Sequence, residues 1–188
     1  MKKSKFIVLA APSGSGKTTL VNKLLTELKL NLEFSISATS RKPRKDEVNG
    51  KNYFFLSKDD FLKKIENNEF LEWEEVYKDA FYGTLISELE VSNSKNIIFD
   101  IDVVGGLNIK KKYPNQTLTI FIKPPSISEL ELRLKKRKSE TDSSIKIRIE
   151  KAKHEMMLAT EFDCIVENDI LEKSYTEVFR LVNNFINE

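Results

Sequence analysis

Phe6-Ile7-Val8-Leu9-Ala10-Ala11-Pro12-Ser13-Gly14-Ser15-Gly16-Lys17-Thr18-Thr19 is the stretch that decides the fold. Five apolar residues run into a turn rich in glycine and serine. The turn gives way to Lys-Thr and a helical pattern. A buried strand, a glycine-rich turn and a helix start together make a phosphate cradle, because freed backbone N–H groups and the positive helix end point at one place. Lys17 then reaches the β- and γ-phosphates of a nucleotide, and the Thr18 hydroxyl ligates Mg²⁺. The pattern G-x-x-x-x-G-K-[ST] asks for glycine at position 11, where this chain has Ala11. A Cβ is tolerated there if φ stays negative. A strand–helix turn that merely happens to be rich in Gly and Ser is the competing reading. The strand–turn–helix context of Gly14, Gly16, Lys17 and Thr18 favours the cradle.

Outward from the loop, Leu20, Leu24, Leu25 and Leu28 recur at helical spacing and predict a helix over about 17–29. Residues 34–37 and 52–56 read as short strands, separated by the polar, turn-bearing segment Arg41 to Gly50. Ser57-Lys58-Asp59-Asp60 caps a helix carrying Phe61, Leu62 and Ile65, and residues 69–77 read as extended. Asn96 to Asp102 is an apolar strand ending in two acids. Thr117 to Ile122 is a buried strand closed by Lys123-Pro124-Pro125. Ser126 to about Lys138 and Ser143 to about Thr160 are charged helical patterns. Cys164 to Glu167 is a last short strand, and Tyr175, Val178, Phe179, Val182 and Phe185 line a closing amphipathic helix. Strands alternating with helices predict an α/β fold with a parallel sheet. Ligands of such sheets sit beyond the carboxyl ends of the strands, which connects Asp100 and Asp102 to the phosphate loop.

The 188 residues suit one domain with lobes, and 40% hydrophobic content is enough for a packed core. Charged residues make up 32%, yet the formal net charge is only +2. A general nucleic-acid binder would show a clear basic excess, so none is expected. Lys110-Lys111-Lys112 reads as a solvated helix end. The single cysteine, Cys164, excludes an internal disulfide and reads as a buried, inert thiol. No apolar run approaches the length of a membrane span. Met1 to Lys5 is basic, but the apolar run behind it leads straight into the phosphate loop, so a cleaved signal peptide is not expected. A reducing cytoplasm fits. His154, the only histidine, reads as a surface helix residue, and no Cys/His cluster supports zinc.

Phosphoryl transfer needs cations around the moving group and alignment of both substrates. Arg41 and Arg44 share a tight Pro-containing segment, which favours a paired phosphate clamp. Arg137 and Arg148 lie in the two charged helices, with Arg133 one turn before Arg137. A solvated helix face is the alternative for any single arginine.

Over nearly its whole length the chain resembles the guanylate kinase family. The residues carrying this are the loop, Ser37-Ala38-Thr39-Ser40-Arg41-Lys42-Pro43-Arg44, Glu47-Val48-Asn49-Gly50-Lys51-Asn52-Tyr53, Asn67 to Trp73, Tyr82-Gly83-Thr84, Asp100-Ile101-Asp102-Val103, the segment Arg137 to Arg148, and Asn168-Asp169. The resemblance implies a P-loop-type parallel core at about 1–35, 89–125 and 159–188. A small mixed α/β monophosphate-binding lobe would span 36–88 and a mobile helical lid 126–158. It implies transfer of the γ-phosphoryl of ATP to GMP, and by extension dGMP, with Mg²⁺ held by Thr18 and, through water, by Asp100. The implied catalytic residues are Lys17, Arg41, Arg44, Arg137 and Arg148. ATP contacts fall on Ser13, Gly14, Ser15, Gly16, Lys17, Thr18, Thr19, Arg133, Arg137, Asn168 and Asp169. GMP phosphate contacts fall on Arg41, Arg44, Tyr53, Tyr82 and Arg148. Guanine contacts fall on Ser37, Glu72 and Thr84, with Asp100 and Asp102 closing the pocket.

Independent chemistry agrees with Glu72. Guanine presents N1–H and N2–H₂ as donors and O6 as an acceptor, so a carboxylate suits the donors and a hydroxyl of Ser37 or Thr84 suits O6. An exposed surface acid is the alternative for Glu72. Trp73 reads as lobe packing rather than a base-stacking ring. Besides Ala11, two departures from the family pattern stand out. Val104-Gly105 replaces the usual Gln-Gly, and Arg137-Lys138-Ser139-Glu140 replaces Arg-Gly-Thr-Glu, which puts the lid turn and Arg137 in a changed setting. A protein-binding module that has lost catalysis, or a kinase for another nucleoside monophosphate, are the alternatives. No obligate protein partner is expected beyond the two nucleotides.

Overall fold

The computed structural model describes residues 4–90, 95–136 and 141–188. In chain order, β1 (Phe6–Ala10) leads through the loop to α1 (Lys17–Leu25) and β2 (Leu32–Phe34). Next come β3 (Ala38–Thr39), β4 (Phe54–Phe55), α2 (Lys58–Glu66), β5 (Phe70–Tyr77), β6 (Ala80–Leu85) and the short α3 (Ser87–Glu90). The rest is β7 (Asn96–Ile101), α4 (Val103–Lys112), β8 (Thr117–Lys123), α5 (Ile127–Lys136), α6 (Asp142–Met157), β9 (Cys164–Glu167) and α7 (Leu171–Asn187). No helix among the described residues is long and apolar enough to cross a membrane.

The main sheet is parallel, in the order β2-β7-β1-β8-β9. Its central strands are buried on both faces, as parallel strands under helices must be, and therefore read as unbroken apolar runs. One face carries Ile7, Leu9, Ile98, Ile120 and Ile122 against α1 and α7. The other carries Phe6, Val8, Ala10, Ile97, Phe99 and Phe121 against α4. The period of two puts Asp100 on the face of Ile98, which is the face under α1. Pairing of Leu9 with Asp100 sets that acid level with the end of β1. Sequence alternation alone thus delivers a carboxylate to the first turn of α1.

A second sheet, β4-β3-β6-β5, is mixed: β3 and β4 run parallel, and the other pairs are antiparallel. It has its own small core of Ala38, Phe61, Phe70 and Phe81, with the Phe61 and Phe70 rings stacked at 4.4 Å. Ser57 caps α2 by accepting from the Asp60 N–H, the role its position predicts. The α5–α6 pair holds a third core of Leu130, Leu134, Ile145 and Ala152.

Several boundaries differ from the sequence reading. α1 ends at Leu25, and a 3₁₀ turn at Leu28–Leu30 takes over the leucines that extended the helical pattern. The strand expected at 34–37 is instead β2, which ends at Phe34, with residues 35–37 linking it to β3 in the second sheet, and β4 is only the pair Phe54–Phe55. β6 and α4 were not foreseen. Cys164 is half-buried rather than buried, and burial pushes its thiol pKa upward. Lys110 is no solvated helix end: it donates to the Thr117 carbonyl at 2.8 Å and pairs with Asp163 at 2.9 Å.

Candidate active site

The loop between β1 and α1 turns on two left-handed glycines, Gly14 at φ 98° and Gly16 at φ 88°. Ala11 is not among the positive-φ residues, so its Cβ meets no backbone objection. Asn168 fixes the loop from behind: its buried amide donates to the Ser15 carbonyl at 2.7 Å. A Cβ on Gly16 would stand 2.4 Å from that amide nitrogen, so Gly16 is required by close approach as well as by φ. Inside the cradle the Ser15 Oγ is buried and has no hydrogen-bond partner among the described residues, an unsatisfied hydroxyl of the kind a phosphate oxygen satisfies.

Lys17 and Thr18 open α1. Thr18 Oγ1 donates to Asp100 Oδ2 at 2.7 Å, and Lys17 pairs with Asp100 Oδ1 and donates to the Ile101 carbonyl at 2.6 Å. A hydroxyl and a carboxylate side by side at the phosphate loop are hard oxygen donors, the set that suits Mg²⁺. Asp102, two residues on, caps α4 by accepting from the Gly105 N–H at 2.8 Å.

One cavity is lined by the loop from Ala11 to Thr19 and by Ser37, Arg41, Arg44, Tyr53, Glu72, Tyr82, Asp100, Asp102 and Arg148. Glu72 is 8% exposed, not a surface acid. Its cross-strand partner on β6 is Thr84, whose hydroxyl donates to Glu72 Oε1 at 2.7 Å. The Thr84 hydroxyl proton is committed to Glu72, and Thr84 lies outside the cavity lining. Burial pushes the Glu72 carboxyl up to about 7, with Asp102 adding to the rise and the Thr84 hydrogen bond opposing it. A Cβ on Gly105 would fall 2.5 Å from Glu72 Oε2, so the glycine after Val104 makes room for the acid. Trp73 is 43% exposed, its ring 6.4 Å from that of Phe81, and it stays out of the cavity.

The arginine clamp is asymmetric. Arg41 donates through Nη1 and Nη2 to both oxygens of Glu47, at 2.5 and 2.7 Å, and through Nε to the Tyr82 hydroxyl at 3.1 Å. Nη1 also reaches the Lys42 carbonyl at 3.0 Å. Its guanidinium lies 4.8 Å above the Tyr53 ring. Burial opposes the charge, but Glu47 and Tyr82 outweigh it and hold Arg41 above the usual arginine range. Arg44 keeps only a 3.9 Å approach to Glu47, with its side chain 54% exposed. Arg41 is thus a fixed wall, and Arg44 the cation with freedom to follow a phosphate.

Arg148, on α6, donates to Ser13 Oγ at 2.8 Å and to the Tyr77 hydroxyl at 3.2 Å, so it reaches the phosphate loop from the helix pair. Arg137 and the changed turn through Glu140 lie outside the described residues. Arg133 and Asn168 are not cavity-lining. Arg133 donates to Glu129 at 3.0 Å and to the Asn168 carbonyl at 3.2 and 3.3 Å, and Asp169 is exposed beside them. Asn168 thus braces the loop from outside the cavity, and Arg133 holds Asn168.

Glu47, Glu74, Val76, Tyr77, Lys151 and Glu155 were given no role by the sequence, and all but Glu47 line the cavity. Lys151 and Glu155 follow Arg148 at i+3 and i+7, a helical stripe that could have been read. Glu72, Glu74 and Val76 alternate along β5. The irregularity between Glu75 and Tyr77 brings Tyr77 to the same side as Val76.

The family model described as guanylate kinase matches residues 3–185. Guanylate kinase of Bacteroides thetaiotaomicron is 51% identical over 186 residues, covering 98% of this chain and 91% of that one. That of Porphyromonas gingivalis is 50% identical, covering 97% and 98%. The crystal structure of guanylate kinase from Anaplasma phagocytophilum superposes with a TM-score of 0.80 at 27% identity, covering all of this chain and 89% of that one. A phosphate loop, a buried acid and an arginine clamp around one cavity, together with this near-complete match, mean that the chain belongs to the guanylate kinase family.

Proposed function

We infer that this protein transfers the γ-phosphoryl group of ATP to GMP, with Glu72 selecting the base. The observation that carries the choice of base is a buried carboxylate, steadied by Thr84, in the same cavity as a phosphate loop. Guanine's N1–H and N2–H₂ complete such a carboxylate, whereas adenine N1, an acceptor, leaves it unpaired. Ser37, also on the cavity wall, supplies a hydroxyl for O6. Arg41, Arg44, Tyr53 and Tyr82 receive the GMP phosphate, and the cradle with Lys17 receives the ATP phosphates. Mg²⁺, held by Thr18 and Asp100, supplies positive charge to the phosphate oxygens when bound. Arg148 brings a further cation to the transferring group.

The chain divides accordingly into a core, a GMP-binding lobe at 36–88 and a lid at 126–158. Separate apolar clusters in the second sheet and in the α5–α6 pair support that division. One cysteine and no internal disulfide suit a reducing cytoplasm.

A panel of ATP with each nucleoside monophosphate tests the reading. ADP formation is expected with GMP and at far lower efficiency with AMP, CMP and UMP. Equal efficiency with another monophosphate would overturn the base assignment. A second expectation concerns pH. Glu72 must be ionised to accept from both guanine donors, and its pKa lies at about 7. The kcat/KM for GMP should therefore rise about tenfold between pH 6 and 8, as the ionised fraction does. In Glu72→Gln the rise should flatten, which separates Glu72 from Glu74 and Glu155, also shifted upward nearby. A profile unchanged by the substitution would remove Glu72 from the titration.

A further inference from the structure

Lys151 stands one turn beyond Arg148 on α6. Its ammonium lies 3.4 Å from Glu74 Oε1 on β5, 3.6 Å from Asp102 Oδ2 at the head of α4, and 3.6 Å from Glu155 Oε1 on its own helix. Among the described residues no other ion pair joins any of these three carboxylates to a cation. The group is largely withdrawn from water: side-chain exposure is 21% for Lys151, 25% for Glu74, 19% for Asp102 and 8% for Glu155. Among the described residues Glu74 Oε2 and Asp102 Oδ2 are buried without a hydrogen-bond partner, and Lys151 is the cation nearest to both side chains, at Glu74 Oε1 and Asp102 Oδ2. An exposed pair contributes little, but removing one member of a buried group leaves charges uncompensated.

We propose that Lys151 is a positioning residue for phosphoryl transfer: it bridges Glu74 of β5 and Asp102 of α4, and so fixes α6 with Arg148 over the phosphate loop. This rests on the reading of Arg148 as a cation for the transferring group. The geometry gives Lys151 three partners on three separate segments, two of them in other parts of the cavity wall. Arg148 and Lys151 share one helix face, so the bridge sets the rotation and height at which Arg148 meets Ser13. The lid's own fold does not depend on the bridge. Leu130, Leu134, Ile145 and Ala152 hold α5 to α6.

The charged groups facing Lys151 are Glu74 and Tyr77 from β5, Asp102 from α4 and Glu155 from α6, with Lys17 across from Glu155. Burial opposes the Lys151 charge, and the three carboxylates outweigh it. Burial and the nearby Asp102 both raise Glu74, so with Lys151 withdrawn the two acids hold a proton more firmly.

The test compares Lys151→Met, Lys151→Arg, Glu74→Leu and Arg148→Ala with the parent enzyme in steady-state ADP formation from ATP and GMP. Lys151→Met should lower kcat about tenfold while both KM values move less than about threefold. Lys151→Arg should recover most of the loss. Glu74→Leu, which leaves no oxygen for Lys151, should lower kcat by itself but add little on top of Lys151→Met, because the two act through one bridge. Lys151→Met leaves buried carboxylates without their cation and should lower the melting temperature by several degrees, so kcat is read well below it. Lys151→Arg and Glu74→Leu should stay within about 2 °C of the parent, and a purely structural role would not give a kcat loss in Glu74→Leu at that stability. If Lys151→Met keeps a normal kcat while Arg148→Ala is crippled, the bridge is overturned and the site reading stands. If both work normally, both readings fall. Should Lys151→Met not fold, Glu74→Leu, which leaves Lys151 no oxygen on β5, decides: an unchanged kcat overturns the proposal, and a loss at unchanged melting temperature upholds it.

Discussion

Lys17→Ala should lower turnover by about 10³-fold, the upper range for removing a preorganised charge from where negative charge develops. Lys17 is the first residue of α1, and its ammonium is already held by the Ile101 carbonyl and Asp100. Its side chain is only 15% exposed, so the charge acts through protein more than through water. That position needs no reorganisation when phosphate charge builds up between donor and acceptor. The substitution also strips Asp100 of its cation, which disturbs the oxygen pair with Thr18. Lys17→Met keeps the aliphatic length and separates packing from charge; it should be nearly as slow. The melting temperature should change by a few degrees at most, because the core beneath consists of Leu20, Val21 and Leu24, not Lys17. The measurement is ADP formation at saturating ATP, GMP and Mg²⁺ on folded variants. Near-normal turnover in either variant would refute the phosphate-loop reading outright.

The core sheet was legible because its strands are buried on both faces. Phe6 to Ala10, Asn96 to Ile101 and Thr117 to Lys123 are apolar runs that no other element accounts for. α4 was hidden because Val103-Val104-Gly105-Gly106 has poor helix propensity. Tertiary packing overrides that weakness. A Cβ on Gly105 would strike Glu72, one on Gly106 would stand 3.0 Å from Val8, and Asp102 supplies the cap. β6 was hidden because Ala80 to Leu85 contains a glycine and lacks clean alternation. Gly83 is needed there because a Cβ would lie 2.7 Å from the Glu72 carbonyl.

Within the site, the residues that sequence reasoning found are those in local patterns: the loop, the arginine pair, and the acids ending a strand. Those it missed act through partners distant in sequence. Glu47 looks like one more charge in a polar loop until Arg41 is seen clamped across it. Glu74 and Lys151 are 77 positions apart, and only the fold sets them face to face. Asn168 was expected at the ATP base because of the resemblance. Its side chain spans 153 positions to hold Ser15, a bond no local pattern signals.

Glu72→Gln should lower the GMP kcat/KM by about 10²-fold or more while the AMP value holds or rises, at about 1.4 kcal/mol per factor of ten. Glu72 is buried and accepts from Thr84 through Oε1. No salt bridge ties it to a cation among the described residues, so its charge is left for a ligand to complete. Guanine completes it with N1–H and N2–H₂. Adenine N1 would set a lone pair against the carboxylate, and a site built around a polar group can reject such a mismatch by about 10⁴-fold. Glutamine preserves the shape and can still accept from Thr84. Its amide nitrogen, however, cannot accept from guanine and can donate to adenine N1. The substitution therefore works against one base and for the other, a signature that general damage to β5 cannot imitate. Because Thr84 commits its hydroxyl to Glu72, Thr84→Val should erode GMP selectivity in the same direction by a smaller factor. The measurement is kcat/KM for GMP and AMP at saturating Mg-ATP on all three proteins. An equal fall for both bases would make Glu72 a structural residue of the second sheet and leave selectivity to Ser37 and the backbone. A fall for GMP alone requires that the carboxylate meet the guanine edge.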